Sequence, residues 1–198
     1  NFEYKKEGKA NQDICSWLES KLKKDEVDQK KIDKLKEPKQ QDNKGSVVIS
    51  DLQAMAYQYL HTMYNVLDDI SVNNLVMQKA PVYSGEEGKK EVEKIYEEKL
   101  GFGDPDLKEK PKHIQFIYSL IRDEMLPEAE ESLLDEEVED IVKNKKVYGK
   151  NIKQIIEELK PRAGNLPDTG ERYKKIRTFL EPVYLNLLKE DIDNLDFK

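Results

Sequence analysis

The longest helical pattern in the chain runs from Ser50 to Met77. Apolar residues recur there every three or four positions, a spacing that places their side chains on one face of an α-helix. An aromatic, half-polar stripe runs beside the apolar one, so we expect about half of the circumference to be buried. The pattern predicts a central helix. Its apolar stripe consists of Leu52, Met55, Ala56, Tyr59, Leu60, Met63, Val66, Leu67 and Ile70, and its second stripe of Tyr57, His61, Tyr64 and Asp68.

The ends of the predicted helices follow from capping residues and prolines. Ser50 or Asp51 can cap the central helix, which should end before Pro81 because proline disfavours helical geometry in the preceding residue. A second buried helix should begin near Lys112 and end at Pro127. Pro127 can in turn open another helix, and Pro182 should kink or split the last one.

The remaining helical patterns complete the predicted fold. Helices are expected after Asp13, after Ser84, from about 127 to 142, from 151 to 159, and after Gly170. The β-branched cluster at 47–49 has no partner strand. The sequence therefore predicts an all-α, single-domain bundle of about six or seven helices, with a central buried helix and an N-terminal helical arm.

The first 45 residues differ in composition from the rest. They contain 12 Lys and 10 Asp or Glu, a balance of +2 that leaves −9 for the other residues. Apolar residues become sparse after Leu22, and the polar run from Glu37 to Gly45 is typical of a linker. The sequence predicts a charged arm and linker at 1–45, with Trp17 as its docking anchor, and a helical domain at 46–198.

Charge and hydropathy narrow the classes of partner. The chain is 38% charged and carries a formal net charge of −7, which disfavours attraction to a nucleic-acid backbone. No apolar run approaches the ~20 residues that a membrane-spanning helix needs. We therefore expect a soluble protein that binds neither nucleic acid nor the membrane interior.

Two observations on the compartment point in different directions. The chain begins at Asn1 without a methionine, as mature exported proteins do, which suggests a secreted or cell-surface protein. The single cysteine, Cys15, excludes an intramolecular disulfide and favours the alternative, a cytoplasmic protein.

No motif with a catalytic mechanism emerges from the sequence. Asp168-Thr169-Gly170 matches the tripeptide of aspartic proteases, but its place before a charged helix start is better explained by a capping aspartate. A metal site at the two histidines, His61 and His113, would need carboxylates such as Asp68, Asp69 or Glu124 to converge on them, which spacing alone does not show. Glycine-rich phosphate loops are absent. We predict no enzyme activity, no catalytic residues, no metal and no cofactor.

The densest charge feature is acidic. Residues 123–140 contain ten Asp or Glu and no Lys or Arg, and five lysines follow between 143 and 153. One interpretation is a helix whose charges match its macrodipole, and the other is a docking surface for a basic protein partner. The predicted partner-binding residues are Glu130, Glu131, Glu136 and Glu137, with Arg162 and Asn165 from the turn-rich loop at 161–170.

An alternative function is the transport of a small hydrophobic ligand such as a fatty acid. Methionine and tyrosine side chains can line an adaptable apolar cavity, here between the two most buried helices, and such a cavity needs a volume of roughly 300 Å³ or more. The residues predicted to line it are Met55, Tyr57, His61, Met63, Tyr64, Tyr118 and Met125.

Overall fold

The computed structural model describes residues 4–25, 27–38, 50–99, 101–162 and 164–195. Strands in these ranges are limited to one two-residue pair, so the predicted all-α fold is confirmed. The helices are α1 (Tyr4–Lys24), α2 (Gln29–Lys36), α3 (Asp51–Lys79), α4 (Pro81–Ser84), α5 (Glu86–Lys94), α6 (Lys112–Met125), α7 (Glu136–Asn144), α8 (Ile152–Leu159), α9 (Thr169–Lys175) and α10 (Glu181–Asp193). The antiparallel strands are β1 (Lys146–Val147) and β2 (Lys150–Asn151), and π-helical turns occupy Ile95–Lys99 and Ile176–Leu180.

The chain divides into two compact units, residues 1–62 with 189–198 and residues 63–188. The predicted domain boundary at residue 45 lies in 39–49, outside the described residues. The separate folding of 46–198 therefore stays a prediction, and so does the linker over 39–45.

Helix α3 has the ends that the sequence predicts. The Ser50 hydroxyl accepts from the Gln53 amide at 3.2 Å, and the Gln53 side chain accepts from the Ser50 amide at 2.9 Å. This reciprocal capping satisfies two donors that the helix start leaves open. At the other end, Ala80 before Pro81 is extended, with φ −99° and ψ 108°.

Burial along α3 agrees with the apolar stripe and only partly with the second stripe. Most of the apolar stripe is buried, but Met55 is 37% exposed. Tyr57 is 45% exposed and His61 is also exposed, so their predicted burial is wrong. The two rings instead stack on each other, with centroids 5.4 Å apart and an interplanar angle of 16°.

The unit formed by 1–62 and 189–198 is built around α1. Ile14 and Leu18 are fully buried, and the Cys15 sulfur lies 3.6 Å from the carbonyl oxygen of Leu52 on α3. The first helix is predicted only after Asp13, but α1 already begins at Tyr4. Trp17 is half-buried, with the Lys189 ammonium 5.7 Å from its ring centroid. Among the residues of this unit whose side chains the structure describes, the buried ones are Ala10, Ile14, Leu18, Leu22, Ile32, Ser50, Leu52, Ala56, Leu60 and Ile192.

The unit formed by 63–188 contains the second buried helix as predicted. Helix α6 buries nine residues, from His113 to Met125. Pro182 has the predicted disruptive effect on the last helix, since the Glu181 amide before it donates to Ile176, five residues back. A proline ring crowds the preceding turn, and a π-helical turn gives it room.

The helix predicted from Pro127 to about Val142 is wrong in its first half. Helix α7 begins only at Glu136, after Asp135 caps it by accepting from the Glu137 amide at 3.1 Å. Upstream, the Leu133 amide donates to Pro105 at 2.8 Å and the Leu133 carbonyl accepts from Leu107 at 3.0 Å. These long-range bonds occupy backbone groups that a helix would need, so residues 126–135 form turns and an extended segment.

Candidate functional site

The acidic side chains of 126–140 are presented partly by a non-helical segment and partly by α7. Carboxylates from the two parts meet at shared lysines, because the Lys143 ammonium lies 3.1 Å from Glu131 and 2.9 Å from Glu139. Lys112 similarly pairs with Glu137, and its ammonium lies 3.9 Å from Asp135. We call this region the acidic surface; its exposed members are Glu128, Glu130, Glu131, Glu136, Glu137, Glu139 and Asp140.

Two buried polar residues of α6 hold the non-helical segment in place. Arg122 is 3% exposed and donates to the backbone carbonyls of Phe102, Gly103 and Glu130, the last at 3.0 Å. Gln115 is 2% exposed and accepts from the Asp135 amide at 2.8 Å. A backbone group that bonds a buried side chain has no other hydrogen-bond partner within reach, so it stays in that position. The carboxylates are therefore displayed on a fixed backbone.

An exposed leucine lies in the middle of this segment. Leu133 is 51% exposed and stands between Glu131 and Asp135 in the chain. Its backbone is fixed by the pairing with Pro105 and Leu107, so the side chain is held outward. An exposed apolar side chain with acidic residues on both sides of it in the chain has the composition of a small protein interface, in which a desolvated centre has a polar rim.

A cleft of about 330 Å³ lies beside the acidic surface. Its walls are mixed in charge, and Asp123 stands at its edge. Partial removal of water raises the pKa of the Asp123 carboxyl, and the negative charges of Glu124 and Glu131 raise it further. The lining residues are Ser119, Arg122, Asp123, Leu126, Pro127, Ala129, Glu130, Glu131, Ser132, Leu134, Val142, Lys143 and Lys153.

The residues predicted for a hydrophobic ligand do not line this cleft. In the unit formed by 63–188, Met63, Tyr64 and Met125 are buried core side chains, and the Tyr64 hydroxyl bonds Glu181. Burial raises the pKa of Tyr64, as does the Glu181 charge. Tyr118 is half-buried and packs on Phe102 at 4.8 Å. In the other unit, Met55, Tyr57 and His61 lie on the exposed side of α3.

The loop that carries Arg162 and Asn165 is closed by its own backbone. The Arg162 amide donates to Asn165 at 2.9 Å, and the Asn165 amide donates back at 3.0 Å. Both residues are exposed. At the end of the loop, Asp168 accepts from the amides of Gly170 at 2.8 Å and Glu171 at 3.3 Å, which confirms it as the cap of α9.

An ion pair that spans distant parts of the sequence anchors this loop. Arg172 is 5% exposed, and its guanidinium contacts the Asp68 carboxylate on α3 at 2.9 Å and 3.2 Å. It also donates to the Pro167 carbonyl at 3.0 Å. A planar guanidinium can bind a carboxylate and a carbonyl together. The sequence showed the charges, but no local pattern connects residues 68 and 172.

Sequence reasoning also missed a basic hairpin, formed by residues 145–151. Strands β1 and β2 pair Lys146 with Asn151 and Val147 with Lys150, which leaves Tyr148 and Gly149 as the loop. Tyr148 is 79% exposed. The available signal was Tyr148-Gly149, because a residue followed by Gly between β-compatible residues is a common hairpin pattern. Strands of two residues, however, are too short to show an alternation of apolar and polar positions.

Within the described ranges, no group of three or more His, Cys, Asp or Glu side chains is arranged to hold a metal ion. None of the helices described is long and apolar enough to cross a membrane. Comparisons of the chain with models of known protein families, with curated proteins and with solved structures found no match.

Proposed function

We propose that this chain is a non-enzymatic interaction protein that binds a basic region of a protein partner on its acidic surface. The observation that carries the proposal is the fixed display of carboxylates on the segment that carries Leu133, which is 51% exposed. Buried Arg122 and Gln115 hold the backbone beneath them. A preorganised surface loses little conformational freedom when a partner docks.

The position of the acidic residues favours docking over a purely helical explanation. A macrodipole favours negative charge only within about the first turn of a helix. Glu136, Glu137 and Glu139 lie in that turn of α7. Glu128, Glu130 and Glu131 precede the cap and lie outside any helix, so the dipole does not account for them.

Internal ion pairs neutralise only part of the acidic surface. Lys143 pairs with Glu131 and Glu139, and Lys112 pairs with Glu137. In the described part of the chain, no ion pair joins Glu130 or Glu136 to a lysine or arginine. These carboxylates remain available to steer a basic partner, an effect that salt screens.

A pull-down from the native source tests this proposal. Wild-type chain should retain a partner that a variant with Glu130, Glu131, Glu136 and Glu137 changed to Lys loses, with slower association as the main kinetic effect. Leu133→Ser should weaken retention through faster dissociation, because it removes the apolar centre. The matched control reverses four exposed acids elsewhere, Glu86, Glu87, Glu91 and Glu98.

The proposal fails if the control variant weakens binding as strongly as the variant of the acidic surface. Equal losses would show that net charge, and not this surface, attracts the partner. Circular dichroism of both variants ensures that the comparison is made between folded chains. Fractionation of source cells tests the location of the chain, because it separates the proposed secreted or cell-surface location from the cytoplasmic alternative.

The carrier hypothesis stays a second prediction with less support. The cleft of about 330 Å³ has a sufficient volume, but its lining includes Arg122, Asp123 and Lys153. Charged walls disfavour a fatty acid chain, which binds best to apolar side chains. Native mass spectrometry of extracted chain carrying one stoichiometric fatty acid would favour the carrier function over the interaction function.

A further inference from the structure

The basic hairpin holds an aromatic residue in an unfavourable backbone conformation. Tyr148 has φ 49° and Gly149 has φ 81°. Positive φ at both loop residues defines a type I′ turn, in which Asn-Gly is strongly preferred. Glycine suits the second position, but a bulky side chain at the first position crowds the backbone. Tyrosine is therefore a costly choice at residue 148.

Burial of the Tyr148 side chain does not compensate for the energetic cost of this backbone conformation. Tyr148 is 79% exposed, and its contact with Phe179 is a single edge-to-face arrangement with ring centroids 5.8 Å apart. Strained residues are often found at binding sites, where the strain is tolerated for the sake of a contact. Exposed tyrosines are also among the residues that contribute most to protein interfaces. Strain and exposure of this kind are the properties expected of a contact residue.

The basic hairpin that carries Tyr148 is positively charged. Residues 145–151 include three lysines and no Asp or Glu. Lys150 lies 5.5 Å from the Phe179 ring centroid and pairs with Glu158 at 2.6 Å. No ion pair in the described part of the chain involves Lys145 or Lys146. A partner that fits the basic hairpin should therefore present an apolar side chain surrounded by carboxylates.

The chain itself contains such a surface. The segment that carries the acidic surface contains exposed Leu133 between carboxylates in the chain, and the basic hairpin contains exposed Tyr148 together with three lysines. We infer that the basic hairpin of one copy docks on the acidic surface of a second copy. This inference rests on the proposed function, since it uses the acidic surface as a docking site. An anionic lipid surface fits less well, because the chain carries a net charge of −7.

The contact joins two different surfaces, so each copy supplies both halves. Such heterologous contacts close into rings or continue into open chains, depending on their rotation. The complementary charges should make the association strong at low salt and weak at high salt, because the screening length is about 10 Å near 0.1 M salt.

Sedimentation velocity over a concentration series at low and high salt tests the inference. Wild-type chain should associate at low salt and dissociate at high salt. Tyr148→Asn should raise the dissociation constant roughly tenfold or more, as expected for an interface tyrosine, and Lys146→Glu should do the same. The matched controls are Tyr57→Asn, at another exposed tyrosine, and Lys31→Glu, at an exposed lysine of α2, and neither should change association.

The thermal stability of Tyr148→Asn separates a binding role from a structural one. Asparagine fits a type I′ turn better than tyrosine, so the monomer measured at high salt should unfold at the same or a higher temperature. A lower unfolding temperature would show that the Phe179 contact explains Tyr148 and would overturn the inference. Association of wild-type chain that resists high salt would overturn it as well.

A charge exchange tests the pairing of the two surfaces directly. Lys145→Glu with Lys146→Glu should abolish association, and so should Glu136→Lys with Glu137→Lys. An equimolar mixture of these two variants should associate again, because the unchanged hairpin of one variant meets the unchanged acidic surface of the other, and the two reversed surfaces also complement each other. No association in the mixture, or binding of wild-type chain to phosphatidylserine vesicles through Tyr148 without self-association, would overturn the inference.

The experiments distinguish failure of the self-association inference from failure of the proposed function. A wild-type chain that stays monomeric at low salt, yet retains a separate partner through the acidic surface, refutes self-association and leaves the proposed function standing. A separate partner whose retention survives reversal of the acidic surface refutes the proposed function even if the chain associates with itself.

Discussion

Replacing Arg122 should destabilise the segment that displays the acidic surface. The residue is 3% exposed, and its guanidinium donates to three carbonyl oxygens from two separate stretches of chain. Arg122→Met keeps the apolar stem and removes all three bonds. At about 1 to 1.5 kcal/mol for each bond, the free energy of unfolding should fall by about 3 to 4.5 kcal/mol.

Two variants calibrate this expectation. Arg122→Lys keeps the positive charge, but one ammonium cannot serve three carbonyls in the same fork geometry, so its loss should be intermediate. Arg162→Met is the matched control, because Arg162 is exposed and exposed substitutions usually stay within about 0.5 kcal/mol.

Urea unfolding followed by circular dichroism measures these differences. Hydrogen exchange gives the local readout, since loss of Arg122 should speed exchange at the Leu133 and Asp135 amides before it affects α8. A loss below about 1 kcal/mol in Arg122→Met, against the loss expected for three buried bonds, would refute the reasoning. Unchanged exchange in 126–135 would refute it too.

Three further predictions follow from burial, ion pairing and charge. Leu67→Ala should lower the free energy of unfolding in urea by about 2 to 5 kcal/mol, because it leaves a cavity. Val76→Ala, on the exposed side of α3, should lower it by less than about 1 kcal/mol, and equal losses in the two variants would contradict the burial of Leu67. Asp68→Asn should cost about 1 to 3 kcal/mol by leaving buried Arg172 without its carboxylate, and a loss under about 0.5 kcal/mol, the range of exposed substitutions, would contradict it. Asp123→Asn should stabilise the fold at neutral pH, because the raised pKa of Asp123 means that its charged form is disfavoured on folding. That gain should vanish as pH falls through the raised pKa of the folded state, and unfolding curves that show the same gain at acidic pH would refute it.

Local patterns in the sequence were sufficient for several elements. The capping box at Ser50 and the stop before Pro81 involve contacts within four residues, so both ends of α3 could be predicted. Asp168 as a cap and the disruption at Pro182 are equally local. Burial of α6 followed from its nearly continuous apolar surface. Propensity and periodicity act over such distances, and they also predicted the all-α class.

The candidate sites needed the tertiary structure. The density of acidic charge was evident in the sequence, but the helix assigned to it was wrong, because Leu133 pairs with residues 105 and 107 and Arg122 bonds the Glu130 carbonyl. Those contacts, and not the local pattern, turn Leu133 outward. The φ of Tyr148 likewise follows from the two-residue loop between β1 and β2. Side-chain identity determines which charges are available. Hydrogen bonds between distant residues decide the conformation of the backbone that presents those charges, because a buried polar group must find a partner wherever the chain provides one.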